Sequence, residues 1–261
     1  MFLSNLRRCL WLFTLLLAAT HVRADALDEM LHRLQDLIGQ TPVTAHLQAK
    51  VKHQLGKDED ANIRAGEASV RVHQNNSGLR FYYSPELLAQ MAHEQEQHAQ
   101  DPDVQTPVLT AIDELQPVAV KRMLSATSSL LRLVESSHYE GVQMDSFAGE
   151  PARRLTFSYG LERVSEREKK YVKKYQSQVH VWIDAQGTPL ASHHFTRLSG
   201  SAFIIIRFKS NTDDYRHYQR YGDRLLLQQR TYASSASGAG EFSAFNSEQQ
   251  LSLIGREDVV E

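Results

Sequence analysis

The sequence predicts an α+β protein. Its main feature is one large antiparallel sheet of about 9–11 strands, curled into a half-barrel with helices over the concave face. Three observations predict it. Long stretches alternate apolar and polar residues with the period of a half-buried strand. Helical spacing is confined to a short N-terminal segment and an insertion at about 84–136. From Arg153 onward the strand-like runs are separated only by turn residues, and that spacing requires antiparallel neighbours. A sheet of this size curls under its own twist, and helices on its hollow side make a cup with a lid.

In chain order, Asp25 to Gln40 reads as an amphipathic helix: Leu27, Met30, Leu31, Leu34, Leu37 and Ile38 share a side, Asp25 can cap it and Gly39 can end it. Val43, Ala45, Leu47, Ala49 and Val51 alternate with polar residues and define a strand. Lys57 to Asn62 is a polar turn, Ala68 to Val72 a second strand, Asn75 to Gly78 a turn, and Leu79, Phe81 and Tyr83 the returning strand. Ser84-Pro85-Glu86 is a helix start, with a capping hydroxyl and a proline in the first turn. Further helices are expected over Pro107 to Leu115 and, as one unit, Val118 to about Glu135. Strands follow at Leu155 to Tyr159, Val179 to Ile183, Pro189 to Leu198, Ala202 to Phe208, Tyr215 to Tyr221, Leu225 to Tyr232, Glu241 to Asn246 and Gln249 to Ile254. The Ser/Gly/Ala stretch Ala233 to Gly240 reads as a loop.

The N-terminus is read as an export signal. Arg7 and Arg8 precede an 11-residue apolar run, Cys9 to Ala19, and Val22-Arg23-Ala24 sets up a cut after Ala24. The run is too short to span a bilayer, which takes about 20 residues. This reading divides the chain into a signal peptide, 1–24, and a single domain, 25–261, in the periplasm. The only cysteine, Cys9, leaves with the signal, so disulfides, thiol nucleophiles and thiolate metal sites are excluded. The remainder carries 26 basic and 31 acidic residues, a formal charge of −5, which argues against general nucleic-acid binding.

The order helix, three strands, helical insertion, strand meander resembles the periplasmic lipoprotein-carrier (LolA-like) superfamily. The resemblance is carried locally by Val179-His180-Val181-Trp182-Ile183-Asp184-Ala185-Gln186-Gly187-Thr188-Pro189-Leu190, which is similar to the strand–turn–strand element of those proteins. Tyr139-Glu140-Gly141 and Gly222-Asp223-Arg224-Leu225 are looser echoes. The resemblance implies a cavity that shelters acyl chains. One departure stands out: Arg216, His217, Tyr218, Arg220 and Arg230 would make such a cavity less greasy than a lipoprotein carrier needs.

No catalytic constellation is legible. His93 and His98 are five apart on a helix, not the four of a zinc-protease pair, so the segment reads as a solvated helix end and no metal or cofactor is assigned. His193 and His194 are strand neighbours and point to opposite faces. Glu162 to Lys174 mixes acids and bases and reads as a solvent-exposed hairpin arm. The expected function is non-enzymatic: a binding or carrier protein for a lipid, lipopeptide or other amphiphile, with Trp182, Phe203, Phe208 and Tyr218 at the ligand. The alternative is an envelope adaptor or sensor with a filled cup, acting through protein contacts. A hydrolase would need a pocket that brings a His to both a Ser and an Asp.

Overall fold

The computed structural model describes residues 26–57, 61–202 and 206–255. The export segment, Asp25 as a helix cap, part of the Lys57 to Asn62 turn, and Phe203 lie outside the described residues. Helix α1 spans residues 26–36. Strands β1 (Val43–Leu55), β2 (Asn62–Asn75) and β3 (Gly78–Tyr82) follow, then helices α2 (Pro85–Gln100), α3 (Pro107–Ile112), α4 (Pro117–Leu124) and α5 (Thr127–Glu135). The rest is β4 (His138–Phe147), β5 (Glu150–Ser158), the one-turn α6 (Glu166–Lys169), β6 (Val172–Ile183), β7 (Pro189–Ala202), β8 (Ile206–Tyr221), β9 (Arg224–Gly238) and β10 (Glu241–Leu253).

The ten strands form one open antiparallel sheet in the order β3-β2-β1-β10-β9-β8-β7-β6-β5-β4. Its first and last strands pair at the middle, Ala45 opposite Leu253 through Leu55 opposite Ser243. The two edges, β3 and β4, are consecutive in sequence. The chain between them must therefore cross the whole width of the sheet, and only a path over one face is open to it. That path is the helical insertion.

Side-chain alternation identifies the face. On β1 the buried residues are Val43, Ala45, Leu47, Ala49 and Val51, and Val51 pairs with Gly66 of β2. A Cβ at Gly66 would run into the Pro107 carbonyl, so α3 lies directly on β2 on this same face. Further along, the Gln249 amide of β10 donates to the Glu114 carbonyl at 2.7 Å. At the far side the Tyr159 hydroxyl, just past β5, donates to the Leu133 carbonyl of α5 at 2.5 Å. Met30 and Leu34 of α1 and Val120, Leu124 and Leu130 of α4 and α5 complete a core with Leu155, Phe157, Val179, Val181 and Ile183.

Helix α2 starts as its sequence requires, with Ser84 Oγ accepting the Leu87 N–H at 3.2 Å. Its end is not simply solvated. Glu94 is buried, and its carboxylate accepts the Val108 and Leu109 N–H groups at 3.1 and 2.9 Å, capping α3 from a different helix. The single helix expected over Val118 to Glu135 is two. The Ala126 N–H donates to the Leu225 carbonyl at 2.8 Å and the Thr127 hydroxyl to Leu37 at 2.9 Å, so bonds to β9 and to the segment after α1 break the run.

The strands also differ from expectation. They begin at His138, before Arg153. Ala202–Phe208 and Tyr215–Tyr221 are not separate runs: Ala202 closes β7, and the residues from Ile206 to Tyr221 form β8. Ala233 to Gly238 is strand rather than loop, because β8 and β10 pair with it on both sides and supply the ladder bonds that its small side chains do not advertise. These long strands outlast their cover: Arg224 to Leu227 of β9 are buried, while Gln228 to Gly238 are half-buried or exposed.

The Gly222-Asp223 turn ties the base together. The Asp223 carboxylate accepts N–H bonds from Gln40 and Thr41 at 3.1 and 3.0 Å and the Thr41 hydroxyl at 2.5 Å. The Thr41 hydroxyl and backbone bonds hold its pKa down to about 2, below its ordinary 3.8. A depressed carboxylate contributes stability that is present above its unfolded pKa and is lost as pH falls through the folded one. Urea midpoints should therefore drop between pH 4 and pH 2, and the Asp223→Asn variant should lose that part of the acid dependence. A second expectation concerns the core. Val181 is fully buried, so Val181→Asp should leave no cooperative unfolding transition by circular dichroism, since an unpaired buried charge costs several kcal/mol against a total of about 5–15.

Candidate ligand-binding site

The register of β6 to β10 collects polar side chains on the helix-covered face. Ser177 pairs with Thr196. His194 pairs with Asp214, and Ser192 with Arg216. Arg216 then pairs with Arg230, and Arg230 with Gln249. In antiparallel strands directly opposite residues share a face, so these groups form a polar band across the sheet where the apolar cover ends.

Asp214 is the centre of the band. Arg216 Nη2 lies 2.7 Å and Arg230 Nε 2.9 Å from its oxygens, with second contacts at 3.3 and 3.1 Å. The Asp214 side chain is 7% exposed, against 20% for Arg216 and 26% for Arg230. Burial pushes the Asp214 pKa up, but bonds and charge from Arg230 and Arg216 outweigh it and hold the carboxyl below its usual range. Burial likewise opposes the Arg216 charge, which Tyr218 and Asp214 reinforce more strongly. Burial raises the Tyr218 phenol, whose hydroxyl lies 2.8 Å from Ser192 Oγ.

Two hollows flank this band. The first, about 500 Å³, lies between α4, α5 and strands β8 to β10. Arg122 and Arg132 face it from the helices, and Arg216, Tyr218, Arg230 and Gln249 from the sheet. The second, about 570 Å³, lies over β6 to β8 and is lined mainly by Val164, Tyr171, Val172, Tyr175, Leu198 and Phe208, with Glu168, Ser177, His194 and Thr196 as its polar members. Tyr159 stands between them: it lines the first, and its ring centroid is 5.4 Å from that of His194, which lines the second.

Of the residues assigned from sequence, Phe208 lines the second hollow and Tyr218 the first. Trp182 is elsewhere. It shares a face with His180, opposite to buried Val181, and the expectation that it meets the lid helices is corrected. Its indole N–H donates to Asp145 Oδ2 at 3.1 Å and its ring packs on Phe147 and His180, so neighbours from β4 and β6 on the other face cover its apolar area. His193 and His194 do point apart: His193 stacks on Tyr215 at 3.7 Å and meets Asp213 at 3.0 Å, while His194 faces Ser177. His93 and His98 are exposed, and no group of three or more metal-ligating side chains occurs among the described residues.

Some lining residues escaped the sequence reading. Arg122 and Arg132 lie on helices read as one, so their convergence had no spacing signature. Tyr171 and Val172 sit in the charged segment read as an exposed arm, and Tyr175 just after it; a bulge between Val172 and Lys174 puts Val172 on the same face as Tyr175, and all three line the second hollow. Ser177 Oγ is 3.2 Å from His194 Nε2, two parts of a hydrolase triad. The cross-strand acid, Asp214, has its oxygens committed to Arg216 and Arg230, and buried Ser177 also bonds Thr196 at 2.9 Å inside the ladder. The pair is accounted for as part of the polar band. Replacing Asp214 by Asn should cost about 3 kcal/mol in urea unfolding, the low end for breaking a buried ion pair because both arginines keep some solvent.

No family model matches the chain, and no curated protein and no solved structure matches it significantly.

Proposed function

We propose that the protein is a non-enzymatic periplasmic binding or carrier protein for a lipid, lipopeptide or other amphiphile. In this reading it is of the lipoprotein-carrier type, with the sheet curved as a half-barrel and the helices on its concave side. The observation that carries the reading is the pair of adjoining hollows on one face, one lined mainly by Tyr171, Val172, Tyr175, Leu198 and Phe208 and the other by four arginines set among Ala119, Met123, Leu133 and Leu227. An amphiphile needs that division, and each hollow falls in the range of small-molecule sites, about 300–1,000 Å³. The N-terminal export pattern and the order of elements agree with it. No described helix is long and apolar enough to cross a membrane.

A second reading, an envelope adaptor, draws on the opposite face, where Phe147, His180, Trp182, His193, Phe195, Tyr215 and His217 form a contiguous aromatic cluster. The two readings separate in one experiment. Native mass spectrometry of the protein purified from a Gram-negative periplasm should show a bound amphiphile, and the delipidated protein should take up a fluorescent fatty acid. Leu198→Glu should weaken that uptake by roughly tenfold, the worth of burying one leucine, with melting unchanged. A ligand-free mass with no uptake would sink the carrier reading in favour of the adaptor.

A further inference from the structure

We infer that the cavity between α4, α5 and β8 to β10 holds an anionic headgroup, a phosphate or carboxylate, at the polar end of the amphiphile; this rests on the amphiphile reading above. Four guanidinium groups face this cavity, those of Arg122, Arg132, Arg216 and Arg230. One carboxylate, Asp214, is bonded to them, and it engages only Arg216 and Arg230. A second acid, Glu114, lies behind the lining residue Gln249, with its Oε2 3.3 Å from the amide nitrogen. Arg122 and Arg132 belong to no ion pair among the described residues. Four cations against these two acids leave a local excess of two positive charges in a chain whose formal net charge is −2. The field is therefore a property of this cavity and not of the molecule as a whole.

The arrangement also suits an anion geometrically. Asp214 occupies the Nε and one Nη of both Arg216 and Arg230; Arg216 is further engaged by the Tyr218 hydroxyl, and the other Nη of Arg230 is left for a further acceptor. The same carboxylate locks the two side chains in place, so little rotamer freedom remains to be lost when a ligand arrives. Arginine forks match the planar oxygens of a carboxylate or the face of a phosphate. At the entrance the exposed Arg122 and Arg132 come from two different helices, so an anion between them would also bridge α4 and α5 across the break at Ala126. The ring of Tyr159 in this cavity lies 5.4 Å from that of His194 in the apolar hollow, where the tail of the same ligand would lie.

Isothermal titration of the purified protein with dodecyl phosphate, dodecyl maltoside and inorganic phosphate tests this. Dodecyl phosphate should bind at least roughly tenfold tighter than the maltoside, the worth of one charged hydrogen bond, and inorganic phosphate should bind much more weakly than either. The exposed pair Arg122→Gln/Arg132→Gln should reduce that preference with the melting temperature unchanged, and Arg122→Lys/Arg132→Lys should retain most of it. Equal affinity for the two detergents, or an unchanged preference in the Gln variant, overturns the anionic assignment while the amphiphile reading stands. Inorganic phosphate binding as tightly as dodecyl phosphate, or no binding by either detergent, overturns the amphiphile reading and this inference with it.

Discussion

Arg224 reaches three separate parts of the chain from a single hairpin turn. Its Nε donates to the Thr41 carbonyl at 2.6 Å, and its Nη1 to the Leu124 carbonyl at 3.3 Å and to Gln74 at 3.4 Å. Beside it, Asp223 holds the backbone of Gln40 and Thr41, and the Gly39 N–H donates to the Asp223 carbonyl at 2.8 Å. These bonds tie the α1–β1 connection, the end of β2 and the end of α4 to the β8–β9 turn. A side chain at Gly39 would overlap the Asp223 carboxylate, so the approach needs a glycine there. Because Arg224 is buried, its charge is tolerable only with these carbonyls around it. Together with the Ala126–Leu225 and Thr127–Leu37 bonds beside it, this cluster fixes the α4–α5 break and so places Arg122 and Arg132 on separate helices.

The second constraint is length. Strands β7 to β10 have 13 to 16 residues each, while the helices crossing them cover only the end near the Gly222 turn. Where the cover stops, the face changes from Leu225 and Leu227 to Arg230, Tyr232 and Ser234 on β9, and from Tyr218 to Arg216, Asp214 and Thr212 on β8. The sheet is continuous through this change because its backbone bonds do not depend on what the side chains are. Its chemistry is not continuous, and the two hollows lie at the boundary.

Much of the fold was legible residue by residue. Val43 to Val51 alternate and are buried on one face as read; Ser84-Pro85 starts α2; Asp184 to Gly187 turns β6 into β7, with Asp184 Oδ1 accepting the Gln186 and Thr188 N–H groups at 2.8 Å each. Less of the site was. Phe208 and Tyr218 line the two hollows because their alternation puts both aromatics on the helix-covered face. Trp182 was assigned to the ligand space on the assumption that only a lid could shelter it, whereas the edge hairpin β4–β5 shelters it from the other side through Asp145 and Phe147. Glu94 read as solvent-exposed because nothing local announces that the first turn of α3, 14 residues further on, will bring two N–H groups to it.

By itself the sequence determined the elements whose signal is periodic or local: the strands whose alternation runs through Leu47, Val70, Leu155 and Val181, the helix cap at Ser84, and the turns at Gly78, Gly187 and Gly222. Tertiary structure alone decided which strands are neighbours, since pairing β1 with β10 requires contacts between residues roughly 200 positions apart that no local pattern encodes. That pairing made β3 and β4 the edges and sent the helices across one face. It also brought Arg122, Arg132, Arg216 and Arg230 around one cavity. Periodicity is written by each residue's own preference for water or core, whereas convergence of charges depends on which backbones are adjacent, and that adjacency exists only after the chain has closed.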